Sequence, residues 1–207
     1  MYQAARAVWE ALCGNTAEAT NAASAALTRA SGRDVQYAAR VALALSDGSS
    51  RSENAAADLA RAFPEDTFVK FTYAPVLRAV AELRQGSPAE AVARLEIARR
   101  YELAPNGLSF NFYLGGLHSA YVRGEAFTAA HRYAEAAAEF QKILSHRGVV
   151  GLDVIGPLAH LQLGRVFAAT GDKAKARAAY ETFFELWRGA DADTPILISA
   201  KAEYRRL

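Results

Sequence analysis

Histidines stand at 118, 131, 146 and 160, and a single cysteine at 13. These side chains are the ones whose chemistry would announce an enzyme or a metal site. A helical zinc site needs two histidines at i and i+4 with an acid close by, so that both imidazoles leave one helix face toward one ion. None of the four is spaced that way. A serine hydrolase built on a nucleophile elbow needs Gly-x-Ser-x-Gly, which the chain lacks. A kinase needs a Gly-rich phosphate loop, His-Arg-Asp and Asp-Phe-Gly, and none is found. Cys13 precedes Gly14 at an expected helix end in an apolar setting, which suits an inert packing thiol. His160 falls where a large core residue is expected, while His131 and His146 sit at a turn and a helix end. No nucleophile, acid–base pair or ligand set assembles, so the sequence reads as non-catalytic, without metal or cofactor.

The remaining candidates are binding residues, and a recurring pattern places them. In Leu163-Gly164-x-x-Phe167, then Gly171-Asp172, then Ala176-x-x-x-Tyr180, the residue types suit two helices packed closely. A small residue on the first helix admits the second, a small residue on the second reciprocates, and an aromatic four residues on fills the gap beside it. Gly124-x-x-Phe127 with Ala136-x-x-x-Phe140 repeats this around the turn His131-Arg132-Tyr133. Ala79 with Ala91-x-x-x-Leu95, and Ala7 with Ala19-x-x-x-Ala23, are earlier copies. A looser unit spans Asp34 to Phe63, with the turn 46–50 and Ala55-x-x-x-Leu59. Ala91, Ala136 and Ala176 are spaced wider than the roughly 34-residue standard period of such repeats. The excess lies in 102–108 and 147–156, both carrying Gly, Pro or Asn, which reads as two long connections. In the plainer alternative, Val149, Val150, Leu152, Val154 and Ile155 plug a seam between helices.

The spacing predicts helix pairs at Tyr2–Cys13 with Thr16–Thr28, Asp34–Leu45 with Arg51–Ala62, and Thr67–Arg84 with Pro88–Arg100. Two more follow, Asn111–Ala129 with Tyr133–Ser145, and Pro157–Ala169 with Lys173–Trp187, before a last helix Pro195–Arg206. Thr194 and Pro195 suit the start of that last helix. Its stripe of Ile196, Leu197, Ala200, Tyr204 and Leu207 should cover the open end of a stack. Pro75 must start or kink the helix that contains it. The fold class expected is therefore all-α, a right-handed α-solenoid of about five tetratricopeptide-like pairs with a C-terminal capping helix, forming a single domain over 1–207. The chain is 52% hydrophobic, low in proline and shows no alternating strand pattern.

Net charge is +2 with both signs interspersed, so no basic stripe tracks a phosphate backbone and nucleic acid is not an expected partner. No apolar run reaches the roughly 18 residues of a membrane span, so no membrane insertion is expected. The start, Met-Tyr-Gln-Ala-Ala-Arg-Ala-Val-Trp-Glu, lacks the form of a signal peptide. It reads as mid-repeat, as if Met1 heads a piece of a longer multidomain protein.

From Gly32 onward the chain resembles the C-terminal tetratricopeptide region of bacterial serine/threonine kinases of acidobacterial type and of related winged-helix regulators. The stretches that carry the resemblance are Arg61–Thr67, Tyr121–Ala126, Ala137–Gly148, Gly156–Arg165 and Ala190–Leu197 through Ala200–Tyr204. It implies a binding appendage rather than the catalytic part. In such proteins the repeats lie in the cytoplasm or, where a membrane span precedes them, in the periplasm. The turn 46–50 is longer than the family's Gly-Asp turn, and His131-Arg132 replaces a glycine-led one.

In that architecture the first helix of each pair lines a concave groove. Counted from the small positions, the groove should receive Gln36, Arg40, Tyr73, His118, Tyr121, Glu125, Leu161 and Arg165. Aromatic, apolar and charged groups in this mix suit an extended peptide or a partner helix. The alternatives are self-association into a homodimer, which predicts an apolar patch on the convex side or at one end, and a small-ligand sensor, which predicts an enclosed pocket.

Overall fold

The structure, a computed structural model, describes residues 2–47, 50–104 and 116–207. Among them the chain forms helices and no strand. The α-helices are α1 (Tyr2–Cys13), α2 (Thr16–Arg29), α3 (Arg33–Asp47), α4 (Ser50–Ala62), α5 (Ala74–Arg84) and α6 (Pro88–Leu95). They continue with α7 (Leu117–Ala129), α8 (Tyr133–Ser145), α9 (Arg147–Val150), α10 (Ile155–Ala169), α11 (Lys173–Leu186) and α12 (Pro195–Tyr204). The expected start of a helix at Asn111, residues 105–108 of one long connection, and Gly48 and Ser49 lie outside the described residues.

Pairing follows the sequence pattern. α1 packs on α2, α3 on α4, α5 on α6, α7 on α8 and α10 on α11, while the first helices touch in succession, α1–α3–α5–α7–α10. The close approach is visible at two glycines. A Cβ on Gly124 would lie 2.6 Å from the Phe140 ring, and one on Gly164 would lie 2.7 Å from the Tyr180 ring. The small partners Ala136 and Ala176 are fully buried.

Four of the turns share one closure. In each, a residue with positive φ is followed by an N–H that reaches back five residues: Asn15 to Glu10, Ser87 to Glu82, Arg132 to Phe127 and Asp172 to Phe167. The left-handed residues are Gly14, Gly86, His131 and Gly171, with φ of 89, 76, 58 and 81°. This is a Schellman ending, which satisfies the orphan carbonyls of the first helix. The turn at His131 therefore keeps its geometry without glycine, helped by a 2.8 Å contact from His131 Nδ1 to the Tyr133 hydroxyl. A non-glycine residue in that region costs about 1–2 kcal/mol, and glycine's extra unfolded freedom offsets part of the relief. His131→Gly is expected to stabilise the fold by about 0.5–1 kcal/mol, read as a higher urea midpoint. A lower midpoint would mean that the contact with Tyr133 outweighs the backbone strain.

Pro75 stands in the first turn of α5, within a helical stretch that starts earlier. The chain is helical from Thr67, and the turn Val69–Tyr73 widens to a π-helix, with Ala74 N–H reaching Val69 O. Proline removes one N–H and its ring crowds the carbonyl four residues back, so a widened turn is the relaxed solution. After α6 the helix tightens into a 3-10 segment, Glu96–Tyr101. The segment 147–156 holds the one-turn α9. Val150 and Ile155 are buried there, whereas Leu152 is 76% exposed, so the seam is plugged by part of the expected set.

The last helix brings the two ends of the chain together. α12 contacts both α11 and α1. A Cβ on Gly14 would stand 3.0 Å from Cβ of Pro195. Tyr204 meets the edge of Phe184 at 5.6 Å and donates to Glu181 at 2.6 Å.

Candidate functional site

The first helices and α12 converge on one cavity of about 380 Å³. Its apolar side is made by Ala11 and Leu12 from α1, Leu45 from α3, Val80 and Leu83 from α5, and Ile196 from α12. Its polar side is made by Arg84 from α5, Tyr121 and Glu125 from α7, and Gln162 and Arg165 from α10. Val80, Glu125 and Arg165 each follow the small residue of their helix, which is why equivalent positions meet at one place.

Hydrogen bonds order the polar side. Gln162 Nε2 donates to the Tyr121 hydroxyl and to Glu125 Oε1, both at 3.0 Å. Arg165 forms a bidentate pair with Glu203, 2.9 Å on each arm, and Glu203 also accepts from Tyr180 at 2.7 Å. Its charge is thus balanced. Arg84 donates to the carbonyl of Leu45, a neutral acceptor.

Glu125 is the unusual group. It lines the cavity and keeps part of its surface, and burial pushes its carboxyl up to about 7 against the pull of Arg165, the Tyr121 hydroxyl and Arg84. The folded chain therefore holds this proton more tightly than the unfolded chain, whose glutamates titrate near ~4.3. The contribution to stability is fully present below that value and is lost as pH rises to about 7. Subtracting the stability of Glu125→Gln from that of wild type should leave a difference that falls across this window and is level on either side. A difference independent of pH would mean that Glu125 is not sealed from water.

The other expected groove residues lie elsewhere. Tyr73 is buried and stacked on Tyr37, ring centroids 3.5 Å apart, with its hydroxyl donating to Asp34 at 3.1 Å. Leu161 is fully buried core. His118 is buried with neither ring nitrogen hydrogen-bonded, and burial lowers it to about 4, a neutral packing imidazole. Gln36 and Arg40 bond one another at 3.0 Å, and Arg40 approaches Asp58 of α4, away from the cavity. Tyr121, Glu125 and Arg165 are thus brought together, and the other five are not. For Cys13, burial and then the charge of Glu10 push the thiol up to about 12, which suits an inert thiol.

Sequence reasoning missed Gln162, Arg84, Leu12 and Ile196. Gln162 lies three residues before Arg165 and shares its helix face, a signal that was legible. Arg84 lies four residues after Val80 on the same helix face, equally legible, whereas Leu12 and Ile196 enter because the chain ends meet, which no local pattern encodes. Also missed was a buried ionic cluster beside the cavity helices. Arg123 pairs with Glu139 (Nε–Oε1 2.9 Å, Nη2–Oε2 2.6 Å) and with Glu102 at 2.7 Å, and none of the three is more than marginally exposed.

Among the described residues no helix is long and apolar enough to cross a membrane, and no His, Cys, Asp and Glu residues gather as a metal site. Comparison with protein-family models, curated proteins and solved structures finds no match to this chain.

Proposed function

We propose that this chain is a non-catalytic binding module, a right-handed solenoid of tetratricopeptide-like helix pairs capped by α12, whose ligand is a small polar molecule held between the first helices. On the stretches quoted above, we further propose that it serves a bacterial signalling protein, a serine/threonine kinase or a winged-helix regulator. The observation that carries the ligand assignment is the cavity itself. Every first helix and α12 contribute to it, and it holds a carboxylate and a guanidinium that are not paired with each other. A cavity of about 380 Å³ falls within the range of small-molecule sites. An extended peptide has less support, because Tyr73, His118 and Leu161 are packed in the core and offer no anchor.

Self-association is the second reading. Leu152 and Leu186 are 76% and 55% exposed beside depressions walled by Trp9 and Trp187. The two readings separate in one experiment. The protein is dialysed against a bacterial small-molecule extract and bound species are read by mass spectrometry. A species retained by wild type and lost from a folded Leu83→Trp variant, whose indole fills the cavity, is the expected result. No retained species, together with a dimer that Leu152→Asp with Leu186→Asp dissociates, would support self-association instead.

A further inference from the structure

The cavity is electrically divided in a way that selects a class of ligand. Glu125 lines the cavity, and the donors that reach it are neutral, the Gln162 amide and the Tyr121 hydroxyl. Arg84 borders the same space at its exposed rim and donates to the neutral Leu45 carbonyl. Among the described residues neither Arg84 nor Arg165 comes within ion-pair distance of the Glu125 carboxylate, although both lower its pKa. Arg165 is already neutralised by Glu203. What remains is one acidic and one basic group lining the same cavity without pairing, together with the apolar side chains of Leu12, Leu45, Leu83 and Ile196.

We propose that the cavity binds an apolar α-amino acid of leucine size, with its ammonium on Glu125, its carboxylate on Arg84 and its side chain on the leucine–isoleucine wall. The assignment rests on the reading of the cavity as a small-ligand site. Each charged end of such a zwitterion finds an opposite charge that the protein leaves unpaired. At Glu125, where burial has removed most of the water, a charge-assisted hydrogen bond is worth more than one in water, while the exposed Arg84 contributes mainly selectivity for a carboxylate. A simple carboxylate would leave Glu125 unserved, and a simple amine would leave Arg84 unserved, so each should bind weakly. Binding of the ammonium also requires Glu125 ionised, so uptake of the ligand near neutral pH should release protons.

Isothermal titration of the full chain with L-leucine, isocaproate (no ammonium) and isoamylamine (no carboxylate) tests this. Leucine should bind about tenfold or more tightly than either analogue. Glu125→Gln should weaken leucine about tenfold while leaving isocaproate unchanged, and Arg84→Gln should weaken leucine while leaving isoamylamine unchanged. The heat should vary with the ionisation enthalpy of the buffer in wild type and not in Glu125→Gln. Leucine bound no better than isocaproate, or undiminished in folded Glu125→Gln, overturns the proposal. If leucine gives no heat while the dialysis experiment still yields a cavity-dependent species, the ligand class is wrong and the cavity reading stands. If neither gives a ligand, both fall.

Discussion

Replacing Arg123 by methionine is expected to destabilise the fold by about 3–5 kcal/mol, the range seen when one partner is removed from a buried ion pair. The side chains of Arg123 and Glu102 are fully buried and that of Glu139 is 6% exposed. Arg123 serves both carboxylates and also donates to the Leu95 carbonyl at 3.2 Å. Burial raises Glu102, yet Arg123 and Lys142 outweigh it and hold the carboxyl below its usual range. Methionine fills similar volume and removes the charge, leaving Glu102 with Lys142 and Ser119, and Glu139 with Arg99. Chemical denaturation checks the loss. Adding Glu102→Gln to Arg123→Met should recover part of it, because a neutral amide is cheaper to bury than a carboxylate that has lost its buried guanidinium partner. A loss below about 1 kcal/mol, in the range of a surface pair, would mean that the cluster is solvated in solution.

Gly164→Leu should be comparably damaging, at about 3 kcal/mol or more, near the top of the overpacking range. A Cβ alone would already meet Tyr180 Cδ2 at 2.7 Å and Cε2 at 2.8 Å. Tyr180 cannot swing away easily, since its hydroxyl is held by Glu203 and its ring lies among Phe184 and Tyr204. Because Glu203 also binds Arg165, displacing Tyr180 should loosen α12 and open the cavity. Thermal melting of the variant is the check. An unchanged midpoint would show that α10 and α11 do not meet at this glycine.

Much of the helical order was legible, and the particulars show why. Gly124 with Phe140 and Gly164 with Tyr180 are contacts between residue types whose sizes fit only each other. Gly14, Gly86 and Gly171 mark turns that demand positive φ. His131 hides the same turn, because a histidine carries no backbone signature, and its neighbours had to reveal it. Arg123 and Glu139 precede Gly124 and Phe140 by one residue each, so the ion pair repeats the register of the glycine–aromatic contact. In the last pair Leu163 and Ala179 hold the corresponding positions. The pairing was thus readable, but charge at a helix surface is so often solvated that Arg123 gave no sign of burial. Tyr73 misled for a different reason. The π turn before Pro75 advances that stretch relative to an ideal helix, so counting back from Ala79 put the tyrosine on the wrong face. Leu12 and Ile196 reach the cavity through contacts between α1 and α12, residues far apart in the chain, and such long-range packing leaves no trace in any one segment.

The central claim is that Glu125 is largely buried in a cavity lined by the first helices and α12. Carbon-13 NMR of the glutamate side-chain carboxyls, assigned to Glu125 by comparison with Glu125→Gln, measures this directly as pH is varied. The account predicts a titration near about 7 for the free protein, moving lower when L-leucine is bound. A Glu125 that titrates near ~4.3, like a glutamate in water, would contradict it.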